Sequence, residues 1–386
     1  MEDNDDPSGN DSELDREEET ENASDVEEIE YRSAQDGNNT IVNKSSEKTP
    51  NSFKIGQWNI WNYGAEGLGE NSYRVKAIST IINNENFDLI GLTEINFGKS
   101  DKVNLILNQL NKLDDSSNWR VIIQTDEESK LTGSSDNAAE NIAILYNANR
   151  LDLLEFDNGK LGTSFTKPIA KVNGGTHKFI RPPFGAKFKD KGSDKELTAI
   201  FAHLDSPGGS PKKESTTKSF TIDGKDIELS FSQGVNELSE AYGIKDVLDY
   251  YDSIDGDSTL VFAGDTNIKQ GNSNVLSSSL VGGYKIAYGD SEEKHKTSIN
   301  RSATGYSQTY DKIIFREYDS DIIDEEEGGA EFKFKSDIVQ AFSNHLLNKN
   351  EMKKIYTSEF NAKPKIRDMV RKISDHAPVF VIWNTK

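Results

Sequence analysis

The chain has no cysteine, so neither a disulfide nor a thiolate metal site is available to it. It contains no apolar run long enough to cross a bilayer as a helix. A basic, apolar leader is missing too, since the sequence opens Met1-Glu2-Asp3. No segment repeats, and no Gly-rich loop of the nucleotide-binding kind is found. Positive charge is scarce: 45 Lys and Arg stand against 66 Asp and Glu, a formal net charge of −21. These absences exclude a disulfide-framed scaffold, a zinc–thiolate module, a transmembrane helix and a phosphate-loop enzyme. The charge deficit argues against a broad basic footprint for nucleic acid. For metal chemistry, oxygen and imidazole donors remain.

The negative charge is unevenly spread. Residues 1–50 hold 17 acids, Glu2 through Glu47, against Arg16, Arg32, Lys44 and Lys48, a net of −13 that leaves −8 on residues 51–386. This segment has almost no apolar periodicity and cannot bury enough surface to offset its chain entropy. It reads as a disordered acidic tail or linker, and residues 51–386 as one domain with an ample core. Two locations fit the missing leader. One is the cytoplasm; the other is the cell surface or exterior, with an export or anchor segment lying ahead of this sequence.

Leu260-Val261-Phe262-Ala263 is an apolar, β-favouring run that stops at Gly264 and delivers Asp265 and Asn267. Those two side chains share a face if the strand stays extended. Other strands are expected at Phe53–Ile60, Phe87–Thr93, Trp119–Gln124, Asn141–Asn147, Phe184–Phe188, Glu196–Ala202, Lys312–Phe315 and Ala377–Trp383. Helices are expected after an Asn71 or Ser72 cap, over 101–113, and on the face Val235, Leu238, Ala241, Ile244, Leu248 and Tyr251. Pro207 to Lys225 reads as a long surface loop, with positive charge at Lys212, Lys213, Lys218 and Lys225.

Strand after strand begins or ends in a chemically competent residue: Asn59, Glu94, Glu140, His203, Asp265, Asn267, Asp311, Asp375 and His376. Singly, each has a plain structural reading. Glu94 suits a helix start, Glu140 and Asp311 suit solvent-facing edges, and His203 suits a satisfied core position. Nine at strand ends together point to a site. Two His with several carboxylates supply an acid, a base and a hard-metal centre. His177, His295 and His345 lack such company and read as surface residues.

Trp58-Asn59-Ile60, Leu92-Thr93-Glu94, Arg181-Pro182-Pro183, His203, Gly264-Asp265-Thr266-Asn267, Tyr310-Asp311 and Ser374-Asp375-His376 follow the order of motifs in a known superfamily. The set resembles the endonuclease/exonuclease/phosphatase superfamily over about 53–383, and within it looks most like the mycoplasma membrane nucleases. Thr266 departs from the aromatic residue usual in its motif.

The resemblance implies an α/β fold: a four-layer α-β-β-α sandwich of two packed mixed sheets, DNase I-like. It implies a divalent-metal-dependent phosphodiesterase, a nuclease of low sequence specificity whose partners are DNA and RNA. Mg²⁺ is the implied cofactor, with Mn²⁺ or Ca²⁺ as substitutes. By the same resemblance Glu94 is the principal metal ligand with Asn59 beside it, and Asp375 completes that site. Asp265 and Asn267 position water and phosphate, and Asp265 serves a second metal. His203 with Glu140 and His376 with Asp311 form two acid/base pairs, Arg181 meets the substrate phosphate, and Tyr310 packs. Two rivals remain. One is a phosphatase or sphingomyelinase on the same fold; the other is an inactive surface protein that binds nucleic acid or a host partner.

Overall fold

Three apolar clusters define the layers of the protein, and successive strand residues divide between them. In the computed structural model, which describes residues 50–65, 67–206, 215–288, 293–324 and 334–385, one sheet runs Ile322–Asp324, Val379–Asn384, Ser52–Tyr63, Leu89–Asn96, Glu140–Asn147, Trp119–Ile123. The second runs Lys285–Ile286, Asp311–Arg316, Thr259–Asp265, Glu196–His203, Phe184–Asp190, Leu151–Leu154, with Gly162–Ser164 also on the Phe184–Asp190 strand. Ile142, Ile144 and Tyr146 enter the cluster between the sheets, while Ala143 and Leu145 face the helices outside the first. Leu197, Ala199 and Phe201 likewise face inward, and Ile200 and Ala202 face the helices outside the second. This period-two split builds a four-layer α-β-β-α sandwich. It is the architecture implied by the motifs.

Helices Tyr73–Asn84, Val103–Leu113, Lys349–Phe360 and Ile366–Ile373 contribute to the outer cluster of the first sheet. Val235–Tyr242 and Ile244–Asp255 cover the second. The expected single helix over 235–251 is thus two helices, interrupted at Gly243. A Cβ at Gly243 would lie 2.5 Å from Ile169 Cδ1, so close packing explains the glycine. Ser72 does stand before the first helix, but its hydroxyl accepts from Gly69 N at 2.9 Å and does not cap the helix.

Both sheets share one pairing pattern. Ser52–Tyr63 and Leu89–Asn96 are parallel, as are Glu196–His203 and Thr259–Asp265, while the other pairs are antiparallel. Each sheet therefore brings two strand C-termini to one end. The surface-loop expectation over 207–225 fails in part: Thr216–Ile222 is a strand paired with Lys225–Gly234, carrying Lys218 and Lys225. Lys212, Lys213 and the acidic segment 1–49 lie outside the described residues. Among the described residues, no helix is long and apolar enough to cross a membrane.

The two sheets pack closely at Gly91, where a Cβ would fall 2.1 Å from the buried Phe201 ring. Gly91→Ala is expected to destabilise the protein by about 1–3 kcal/mol, since neither sheet can retreat without opening the core. A lowered urea midpoint at unchanged slope is the measurement; an unchanged midpoint would contradict this packing.

Candidate active site

The candidate site residues are delivered where the parallel pairs end. Asn59 pairs with Thr93, and the ladder then loses register up to Tyr63, a bulge that places Glu94 opposite no regular partner. Glu94 has φ 57°, Trp61 48° and Asn62 48°. Left-handed backbone at non-glycine residues costs about 1–3 kcal/mol each and persists only where surrounding contacts impose it. Here they do. Trp61 N donates to Asn59 Oδ1 at 2.9 Å, Asn62 N donates to Glu94 Oε2 at 2.9 Å, and the buried Arg74 guanidinium donates to the carbonyls of Ile60 and Trp61. In the second sheet His203 pairs with Asp265. Gly264 precedes it because a Cβ there would lie 2.5 Å from the Ala202 carbonyl oxygen.

Asp265 is the centre. Its Oδ2 accepts from Asn59 Nδ2 at 3.0 Å and lies 3.4 Å from His376 Nε2 and 3.8 Å from His203 Nε2. Each imidazole is held from behind: His203 Nδ1 is 2.7 Å from Glu140 Oε2, and His376 Nδ1 is 2.7 Å from Asp311 Oδ2. Asn59 Nδ2 also donates to Glu94 Oε1 at 2.8 Å. Arg181 Nε lies 2.8 Å from Glu140 Oε1, and Nη1 donates to the Leu204 carbonyl. The Tyr310 ring stacks on His376 with centroids 6.3 Å apart.

The charges sort themselves accordingly. Burial alone would lower His376, but Asp311 and Asp265 hold its imidazolium well above the ordinary histidine range. His203 is likewise raised, burial being outweighed chiefly by Glu140. Burial opposes ionisation of Asp265, yet His376 and His203, with amides from Asn267 and Asn59, keep its carboxyl below the usual range. Glu140 is lowered against burial by Arg181 and His203. Asp375 goes the other way: burial pushes it up to about 6, with His376 opposing and Glu94 and Asp265 adding to the rise.

All nine residues singled out in the sequence lie in or beside this constellation, and two are used differently from expectation. Asn59 turns its oxygen to Trp61 and its amide nitrogen to the carboxylates, so here it clamps Glu94 and Asp265 rather than standing as a ligand beside Glu94. The strand does not stay extended past Asp265. Asn267 adopts φ 52°, its N–H donates to Asp265 Oδ1 and its side chain donates to the Leu204 carbonyl. Thr266, buried, donates its hydroxyl to the Tyr310 carbonyl at 2.8 Å. The expectation of three surface histidines also fails for His295, which is buried against Tyr288 and Phe334, and His177 is half-buried beside Glu240.

Three supporting residues lie outside the nine: Trp58 and Ser374, both within the quoted motifs, and Gln57. Trp58 Nε1 donates to the His376 carbonyl at 2.8 Å, and Ser374 Oγ donates to the Asn59 carbonyl while accepting from His376 N. Gln57, with its amide oriented to satisfy both ends, donates to Asp311 Oδ1 at 3.0 Å and accepts from Asn59 N. The strand Phe53–Ile60 alternates faces, which could have flagged Gln57 as buried.

The donor set fits a hard cation. Ligand atoms of Glu94, His203 and Asp265 lie within 4.8 Å of one another, as do those of Asp265, Asp311 and His376. Asp375 adds a carboxylate whose Oδ1 is buried without a hydrogen-bond partner among the described residues. Carboxylates so crowded are stabilised by a divalent ion.

No family model matches the chain. An uncharacterized protein of Mycoplasma pneumoniae is 26% identical over 214 residues, which are 53% of this chain and 37% of that relative. Among solved structures, the human Nocturnin catalytic domain with bound sulfate is similar at TM-score 0.49 and 13% identity, over 88% of this chain and 97% of that one. An endonuclease/exonuclease/phosphatase family protein from Bacteroides thetaiotaomicron stands at 0.48 and 14%, over 87% and 95%. A humanized D. rerio TDP2 stands at 0.47 and 16%, over 87% and 100%.

Removing the carboxylate behind His376 tests the electrostatic reading. In metal-free protein, Asp311→Asn is expected to lower the His376 pKa, since the first of the carboxylates that hold the imidazolium is lost. Nitrogen-15 chemical shifts of the ring report this directly; an unmoved titration would remove Asp311 as the cause.

Proposed function

We propose that the protein is a divalent-cation-dependent phosphodiesterase of the endonuclease/exonuclease/phosphatase superfamily, a nuclease of low sequence specificity that hydrolyses DNA and RNA. One observation carries this reading: two carboxylate–imidazole pairs, His203–Glu140 and His376–Asp311, converge from different strands on a single Asp265 oxygen.

A phosphodiester is an anion that repels hydroxide, so its hydrolysis needs charge neutralisation, an oriented water and a proton for the leaving oxygen. Mg²⁺ held by Glu94, Asp375 and Asp265, with Mn²⁺ or Ca²⁺ as substitutes, supplies the neutralisation when bound. Asp265, kept ionised, accepts a hydrogen from water and aims its lone pair at phosphorus. His376, kept cationic by Asp311, donates to a phosphate oxygen as charge develops there. His203 acts as the second proton carrier, with Glu140 fixing its tautomer by holding Nδ1. Arg181 holds Glu140 in turn and adds a fixed positive charge for substrate phosphate. Asn267, whose side chain is engaged with Leu204, shapes the Asp265 turn through its backbone N–H. The net −8 of residues 51–386 opposes a polyanion at long range, and divalent cations offset it locally.

Plasmid DNA and RNA, incubated with Mg²⁺, are expected to be degraded, and EDTA to abolish cleavage until Mg²⁺ is restored. Undiminished cleavage in excess EDTA would refute the mechanism. Hydrolysis of sphingomyelin or inositol phosphates with none of nucleic acid would replace the nuclease by a sister activity on the same fold.

His203→Ala and His376→Ala are each expected to lose on the order of 10²–10⁴-fold in rate, the range for an acid/base group. Circular dichroism should show the fold retained. Full turnover in either variant would remove that residue from the chemistry.

A further inference from the structure

The turn that fixes Asn59 and Glu94 also carries a tryptophan outward. Trp61 is 37% exposed, whereas the other three tryptophans, Trp58, Trp119 and Trp383, are at most 5% exposed. Its backbone and that of Asn62 are both left-handed, at φ 48°, an outlying conformation for so bulky a residue. Core packing does not explain the side chain. The N–H groups of Trp61 and Asn62 bind Asn59 and Glu94, and Arg74 grips the Trp61 carbonyl at 2.7 Å. The indole is therefore tied by its own backbone to the residues that flank Asp265, one hydrogen bond from Asn59. Phe231 is more exposed, at 54%, but hangs on the Lys225–Gly234 strand, where its backbone bonds to Asn272.

We propose that Trp61 is a substrate-positioning residue: its indole stacks on an unpaired nucleobase next to the scissile phosphate, so the site prefers single-stranded or locally opened nucleic acid. The proposal rests on the nuclease reading and deepens it by naming the substrate form. Stacking needs only a π-face, which every base has, and so gives affinity without sequence readout. It also supplies what the negatively charged surface cannot, a contact with nucleic acid that is indifferent to charge. A rigid indole with two side-chain torsions loses little entropy on binding. The left-handed turn limits its motion further.

The test compares a short oligothymidylate with an oligomer of equal length bearing abasic spacers, both as single strands with Mg²⁺. Trp61→Ala is expected to lower the preference for the base-bearing over the base-free oligomer in kcat/KM by about tenfold or more. Trp61→Phe should keep most of that preference. Binding is read separately in the slow His376→Ala background, where oligothymidylate should quench tryptophan fluorescence and the abasic oligomer should not. The quench should vanish when Trp61→Phe is added, since the remaining tryptophans are buried. Equal losses on both oligomers, or a quench that survives Trp61→Phe, would overturn the proposal and leave Trp61 a structural residue. If the unaltered protein cuts neither oligomer yet hydrolyses another phosphate ester, the nuclease reading itself fails.

Discussion

The Asn59 amide sits at the middle of the contacts that join the two sheets at the candidate site. Asn59 belongs to the first sheet and Asp265 to the second, and the Asn59 side chain donates across to Asp265 while also holding Glu94. Two carboxylates brought this close repel each other, and the amide offsets part of that cost by giving each a donor. Its oxygen is committed to Trp61 N, so the amide cannot rotate without losing three contacts. Everything that aligns the sheets, from the Gly91–Phe201 approach to the shared pairing pattern, serves to keep that amide in reach of both acids.

The site was legible from sequence because strands buried on both faces write themselves as unbroken apolar runs. Leu260–Ala263 and Leu89–Leu92 each give way within two residues to Asp265 and Glu94, and such an ending is hard to produce by composition alone. The region beyond the strands was less readable. Lys349–Phe360 buries only Met352 within its helix, so its polar sequence carries little periodic signal. The strand Thr216–Ile222 is exposed on most positions, and its Ser, Thr and Lys content reads as loop. Asn267 turned where an extended strand was expected, because its backbone N–H finds Asp265 Oδ1 and the left-handed turn suits asparagine. His295 is buried against Tyr288, seven residues before it, and Phe334, from a separate segment, and its own short stretch of sequence shows no apolar pattern.

The electrostatics divide the acids by neighbour rather than by residue type. Asp265 and Glu140 face imidazoles or a guanidinium and stay ionised against burial, whereas burial pushes Asp375 up to about 6, His376 opposing and Glu94 and Asp265 adding to the rise. Similar carboxylates thus acquire different tasks within a few ångströms. The histidines are sorted too: His203 and His376 each have a carboxylate behind one nitrogen and Asp265 before the other, an arrangement that defines direction for a proton.

The pairing of Val379–Asn384 with Ser52–Tyr63 couples residues more than 300 positions apart. Trp58 and Asn59 also hold the Ser374–His376 turn through hydrogen bonds of that same sequence span. On a ribosome, where the N-terminal portion emerges first, the opening strand must wait for this neighbour with one edge of its backbone unpaired. His376 reaches Asp265 only once residues 374–384 have been synthesised and have closed onto that strand. A nascent chain therefore carries no assembled reaction centre during most of its synthesis. Chains cut short before residue 374 lack His376 and its strand, and so never complete the cluster around Asp265.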